Sequence, residues 1–128
     1  SESLCRHCAE SFFGIGTTTS FGKKCDVTAY IKGITKKVEV KATGKSQFEY
    51  FSEKDILADY LVWINFGNYF GEEVEQPIEI YVLENPGNVF SKPIKITLNK
   101  FKKESEGRLR TFKSTTLQEL LDGKVTSY

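Results

Sequence analysis

Polar and apolar residues alternate strictly along residues 26–32 and again along 35–42. Val27, Ala29 and Ile31 share one side of the first stretch, and Val38, Val40 and Ala42 share one side of the second. A period of two with one apolar side predicts a pair of half-buried strands. Gly33-Ile34 between them predicts a type II′ turn, which places glycine first. Ahead of this hairpin, Leu4, Cys8 and Phe12 recur at i, i+4 and i+8, so residues 2–13 are expected to be helical. GIGTTTSFG, residues 14–22, reads as a loop.

After the hairpin the pattern changes. ATGKSQFEYF, residues 42–51, reads as a loop or short extension. Ser52 with Asp55 three residues later predicts the capped start of a short helix over 53–58. YLVWINF (60–66) and IEIYVL (78–83) are continuous apolar runs. Such runs predict strands buried on both faces, as in a sheet covered by helices. GNYFGEEVEQP and ENPGN read as loops, and IKITL (94–98) as a further strand. STTLQELLDG predicts a closing helix, capped by Ser114 or Thr115, packed through Leu117, Leu120 and Leu121, and stopped by Gly123. The order is helix, hairpin, strand, strand, helix, which predicts an α/β or α+β domain with a mixed central sheet flanked by helices.

At 128 residues the chain fits one domain, 1–128, with one core. It contains no methionine, so a processed start, a tag remnant or a fragment of a longer protein is expected. No apolar run has the length of a bilayer span, and no membrane partner is expected. Three cysteines, Cys5, Cys8 and Cys25, are an odd number and favour a reduced, cytoplasmic setting. The net charge of +1 hides a polarity. Residues 49–84 hold nine acids against Lys54, while 92–113 hold eight bases against Glu104 and Glu106. A basic segment of this kind can contact phosphates, although runs of like charge also serve simply as solvated surface.

Charge also sharpens the hairpin. With Gly33-Ile34 as the turn, Val27 opposes Val40, Thr28 opposes Glu39 and Asp26 opposes Lys41. Asp26 and Glu39 are then diagonal neighbours, about 5–8 Å apart at Cβ, close enough to share a divalent ion. Magnesium prefers such hard oxygen ligands and keeps several waters. Lys41 points to the same side as Glu39. An exposed Glu–Lys pair on an amphipathic strand is the plainer reading of Val38-Glu39-Val40-Lys41.

A helix bearing Glu10, then Asp26, then Glu39-Val40-Lys41 on the next strand of a mixed sheet, resembles the PD-(D/E)XK nuclease superfamily of restriction-endonuclease-like and Holliday-junction-resolvase-like enzymes. The likeness is best over the first half of the chain, and Cys25 stands where that pattern often has proline. It implies a restriction-endonuclease-like fold and a Mg²⁺-dependent DNA endonuclease, with Mn²⁺ able to substitute. Carried over, Asp26, Glu39 and the Val40 carbonyl would hold the metal, with Glu10 completing the shell and Glu2 as its alternative. Lys41 would assist the attacking water or stabilise charge on the phosphorane. Ser46 or Gln47 would support the site. The resemblance also implies a homodimer or larger complex, so that each strand of a duplex meets one site.

Lys23, Lys24, Lys45, Lys100, Lys102, Lys103, Arg108 and Arg110 are the candidate DNA contacts. Phe48, Tyr50 and Phe51 could stack on splayed bases or pack in the core, while Trp63 reads as core. Cys5, Cys8, Cys25 and His7 invite zinc, but His7 lies between the two cysteines on a different helical side, and a closed site needs four convergent ligands. Two further functions therefore stand beside the nuclease: a non-catalytic nucleic-acid-binding or assembly module on the same fold, and a zinc-stabilised interaction domain.

Overall fold

The computed structural model describes residues 18–21, 27–31, 34–44, 46–67, 78–114 and 126–127. Among the described residues nine strands form, in chain order: β1 (Thr18–Phe21), β2 (Val27–Ile31), β3 (Ile34–Thr43), β4 (Phe48–Phe51), β5 (Tyr60–Asn65), β6 (Ile78–Glu84), β7 (Ile94–Thr97), β8 (Leu109–Ser114) and β9 (Thr126–Ser127). Helix α1 (Glu53–Ile56) is a single turn, and α2 (Leu98–Glu104) is longer. Seven strands make one mixed sheet in the order β1-β2-β3-β5-β6-β8-β9, and β4 pairs with β7 in a separate two-stranded sheet. All neighbours are antiparallel except β3 and β5, which run parallel. A parallel pair needs a crossover, and here it is the segment carrying β4 and α1.

The hairpin forms with a different turn from the expected one. Ile31 pairs with Ile34, Thr28 with Lys37 and Val27 with Val38. Residues 32 and 33 therefore separate the strands, and Ile34 belongs to β3. A β-branched residue gains more as a paired strand position than as a turn residue. The Val27–Val40 and Thr28–Glu39 pairings are corrected accordingly; partners shift by two residues, which retains the side each side chain takes. The expected Asp26–Lys41 pairing involves a residue outside the described ones. GIGTTTSFG is not wholly a loop, because Thr18–Phe21, rich in strand-favouring threonine, pairs with β2 as β1.

Other expectations need adjusting. Within the stretch expected as a loop or short extension, FEYF is strand β4, and the expected strand at IKIT pairs with it in a separate sheet. Helix α2 and strand β8 were not expected. The sequence signals for α2 are Thr97, whose hydroxyl accepts from Lys100 N at 3.2 Å, and the buried i, i+3 pair Leu98 and Phe101. Ser114 is the last residue of β8, and the helix it or Thr115 was expected to cap lies outside the described residues. The expected helices over 2–13 and from 115 onward lie outside the described residues.

The apolar runs behave as expected: every residue of β5 is buried, and so are five of β6. One face of these strands, Leu61, Trp63, Tyr81 and Leu83, packs with Phe51, Ile56, Phe90, Ile96, Leu98 and Phe101. The two-stranded sheet, α1 and α2 thus cover that face. Phe51 sits edge-on to Trp63, Phe90 and Phe101 at 5.8, 5.4 and 5.6 Å between centroids, the arrangement ring quadrupoles prefer. Among the described residues no helix is long and apolar enough to cross a membrane.

Candidate functional site

Strand β3 carries the candidate residues at the parallel join. Glu39 stands beside Leu61 and Lys41 beside Trp63. Alternation puts Lys37, Glu39, Lys41 and Thr43 on the side of the aromatic core. Thr43 shows the consequence: its Oγ1 accepts the Trp63 indole N–H at 2.8 Å, satisfying a buried donor. Glu39 and Lys41 therefore do share one side, as expected. The described ladder between β2 and β3 ends at Val38, and Asp26 lies outside the described residues, as do Glu10, Glu2, Lys23, Lys24 and Lys45.

Glu39 is only 6% exposed. A carboxylate so far out of water requires opposite charge. Lys37 Nζ and Lys54 Nζ supply it, at 3.5 and 3.7 Å from Oε1. Both lysines are about half exposed, so each pair is loose and screened.

Lys41 is held more tightly. Its Nζ lies 2.9 Å from Asp55 Oδ2, with Lys41 24% exposed and Asp55 almost fully buried at the side chain. Asp55 is the third residue of α1. The same Oδ2 accepts from Ser52 N at 2.8 Å and Ser52 Oγ at 3.0 Å, and Asp55 N donates back to Ser52 Oγ. The capping box read from Ser52-x-x-Asp55 thus also aims the carboxylate at Lys41. Glu49, inward from β4, completes the group: burial pushes its carboxyl above its ordinary value, and the Lys41 ammonium opposes that shift. Asp59 fixes the join from the other end, taking Lys37 N–H at 2.8 Å on Oδ2 while its own N–H donates to Lys37 O.

The sequence reading missed Asp55, Lys37, Lys54 and Glu49 as members of this cluster. Only Asp55 carried a signal, and that signal announced a helix start, not an ion pair fourteen residues away in sequence from Lys41.

The donor chemistry at Glu39 is a carboxylate oxygen, which suits magnesium. A bound divalent ion would have to displace the two ammonium groups from Oε1. Among the described residues no three His, Cys, Asp or Glu side chains converge on a metal position. Of the expected magnesium ligands only Glu39 and Val40 are among the described residues, and the zinc candidates Cys5, His7, Cys8 and Cys25 lie outside them. Ser46 is exposed, and the Gln47 carbonyl accepts from Leu98 N at 2.9 Å, which serves the fold. Lys100, Lys102, Lys103, Arg108 and Arg110 are all exposed, on α2, the following turn and β8. Searches against protein-family models, curated proteins and solved structures give no match to this chain.

Proposed function

We propose that the chain is a Mg²⁺-dependent DNA endonuclease of restriction-endonuclease-like architecture, acting through the β3 cluster. The observation that carries this reading is the pairing, on one side of a strand at the parallel join, of a buried carboxylate, Glu39, with an oriented ammonium, Lys41. Glu39 and the Val40 carbonyl would hold the metal, with Asp26 and Glu10 as the further ligands the sequence suggests. When bound, the ion supplies a polarised phosphate oxygen and a water of lowered pKa.

The chain's own residues do the rest. Asp55 holds Lys41 Nζ in one place, so no reorganisation is needed when charge builds on a phosphate beside it. Lys37 and Lys54, partly solvated, can swing from Glu39 towards an incoming backbone phosphate. The exposed bases of α2 and β8 offer a surface for the flanking duplex.

The second reading, a nucleic-acid-binding module without catalysis, is favoured by the same ion pairs, since Glu39 and Lys41 each already have an opposite charge beside them. Incubation with plasmid, branched and single-stranded DNA in Mg²⁺ or Mn²⁺ separates the two. The nuclease reading expects cleavage by wild type and its loss in Asp26→Ala, Glu39→Ala and Lys41→Ala. Binding without cutting selects the module. Cutting that survives all three substitutions removes this cluster from the chemistry.

A further inference from the structure

The sheet β4–β7 has two unlike sides. Phe51 and Ile96 point inward and are fully buried in the aromatic core. The other side presents Phe48 and Tyr50, 53% and 56% exposed, with Lys95 paired to Tyr50 and its Nζ 5.6 Å from the Phe48 ring centroid. Large rings are rarely left in water in pairs, and here the exposure is not slack. The strand is pinned from below by Phe51 and at its edge by four ladder pairs with β7. The rings therefore stand on a rigid base.

We propose that this face binds single-stranded nucleic acid, one base on each ring, and so feeds strands with unpaired bases to the β3 cluster; as a statement about substrate it rests on the nuclease reading. Three features select this occupant. First, Phe48 and Tyr50 are two residues apart on one strand, which spaces them about 6.4–6.8 Å along it. That is twice the ~3.4 Å step between stacked bases in one strand of a duplex, so consecutive duplex bases cannot each meet a ring, whereas an extended single strand can. Second, a cation stands beside both rings: Lys95 pairs with Tyr50 and lies over Phe48, in a stretch, residues 92–103, that holds five lysines and no acid. A peptide of mixed charge has no such requirement, but a phosphate backbone does. Third, the platform is one layer from the candidate site. On the inner side of the same strand, Glu49 feels the charges of Lys41 and Asp55.

The test is fluorescence anisotropy with labelled oligothymidylate and a duplex of equal length, in EDTA at fixed ionic strength. Wild type is expected to bind the single strand more tightly than the duplex. Phe48→Ala with Tyr50→Ala is expected to weaken single-strand binding by about thirtyfold or more, as loss of two stacks requires. Phe48→Tyr with Tyr50→Phe is expected to retain it, and Lys95→Ala to flatten its salt dependence. Unchanged affinity in the double alanine variant overturns the proposal. So does equal duplex binding by wild type, or a wild-type dimer that the double variant converts to monomer while DNA binding stays the same. Failure here with Mg²⁺-dependent cutting intact removes the platform and leaves the nuclease. Stacking without cutting removes the nuclease and leaves the platform.

Discussion

Replacing Asp55 by alanine removes two things at once. The capping box loses its carboxylate, at about 1 kcal/mol for a helix start of this kind. Lys41 loses its partner while remaining three-quarters covered. Removing one member of a fully buried pair costs about 3–5 kcal/mol. Because Lys41 can still reach some water, the low end of that range or below applies. Together the loss is about 2–4 kcal/mol, a large share of the roughly 5–15 kcal/mol that holds a domain of this size together. Urea unfolding followed by fluorescence of Trp63, the chain's sole tryptophan, measures it directly. Asp55→Asn should fall between, since its amide oxygen can still cap. The double variant Lys41→Met/Asp55→Ala isolates the ion pair: it should lose at least about 1 kcal/mol less than the two single losses added together. A loss below about 0.5 kcal/mol in Asp55→Ala, or strict additivity in the cycle, would refute the coupling between cap and lysine.

Three further outcomes follow from buried groups. Burial raises the folded-state pKa of Glu49 above 4.5, so its contribution favours folding below that pH and is lost as pH rises through the raised value. Glu49→Gln should therefore raise the urea midpoint at pH 7, with the gain shrinking towards pH 4. Thr43→Val strands the Trp63 indole N–H in the core; a loss of about 1–3 kcal/mol and a changed tryptophan emission spectrum are expected. Phe101→Ala opens a cavity beneath Phe51, Trp63 and Phe90, and should cost about 3–5 kcal/mol in the same urea assay.

The two runs YLVWINF and IEIYVL were legible because a strand buried on both sides has nowhere to put a polar residue. The α1 cap was legible because Ser52 and Asp55 satisfy each other within four residues. The hairpin was legible as a hairpin but not in register, since Gly33-Ile34 and the observed break at 32–33 suit a two-residue turn about equally and only the pairing of Ile31 with Ile34 decides. Strand β4 and helix α2 were hidden for another reason. FEYF alternates, but its polar-side positions are Phe48 and Tyr50, so the pattern that marks a half-buried strand is blurred. Helix α2 buries only two residues, too few for a clear period. At the site, Glu39 and Lys41 could be put on one side by counting, whereas their partners Lys54 and Asp55 arrive through a crossover that no local pattern announces.

The parallel join of β3 to β5 has a consequence for folding. On one side of it lies the β1-β2-β3 meander, and on the other β5, β6 and β8, each half held by its own antiparallel ladders. Neither half alone contains the charge cluster. Glu39 and Lys41 belong to the first, Asp59 to the start of the second, and Asp55 and Lys54 to the crossover between them. A chain that has formed both halves but not closed the seam has most of its hydrogen bonds and none of the site. Any activity it shows is thus a gauge of complete folding, and should vanish in the earliest step of unfolding that parts β3 from β5.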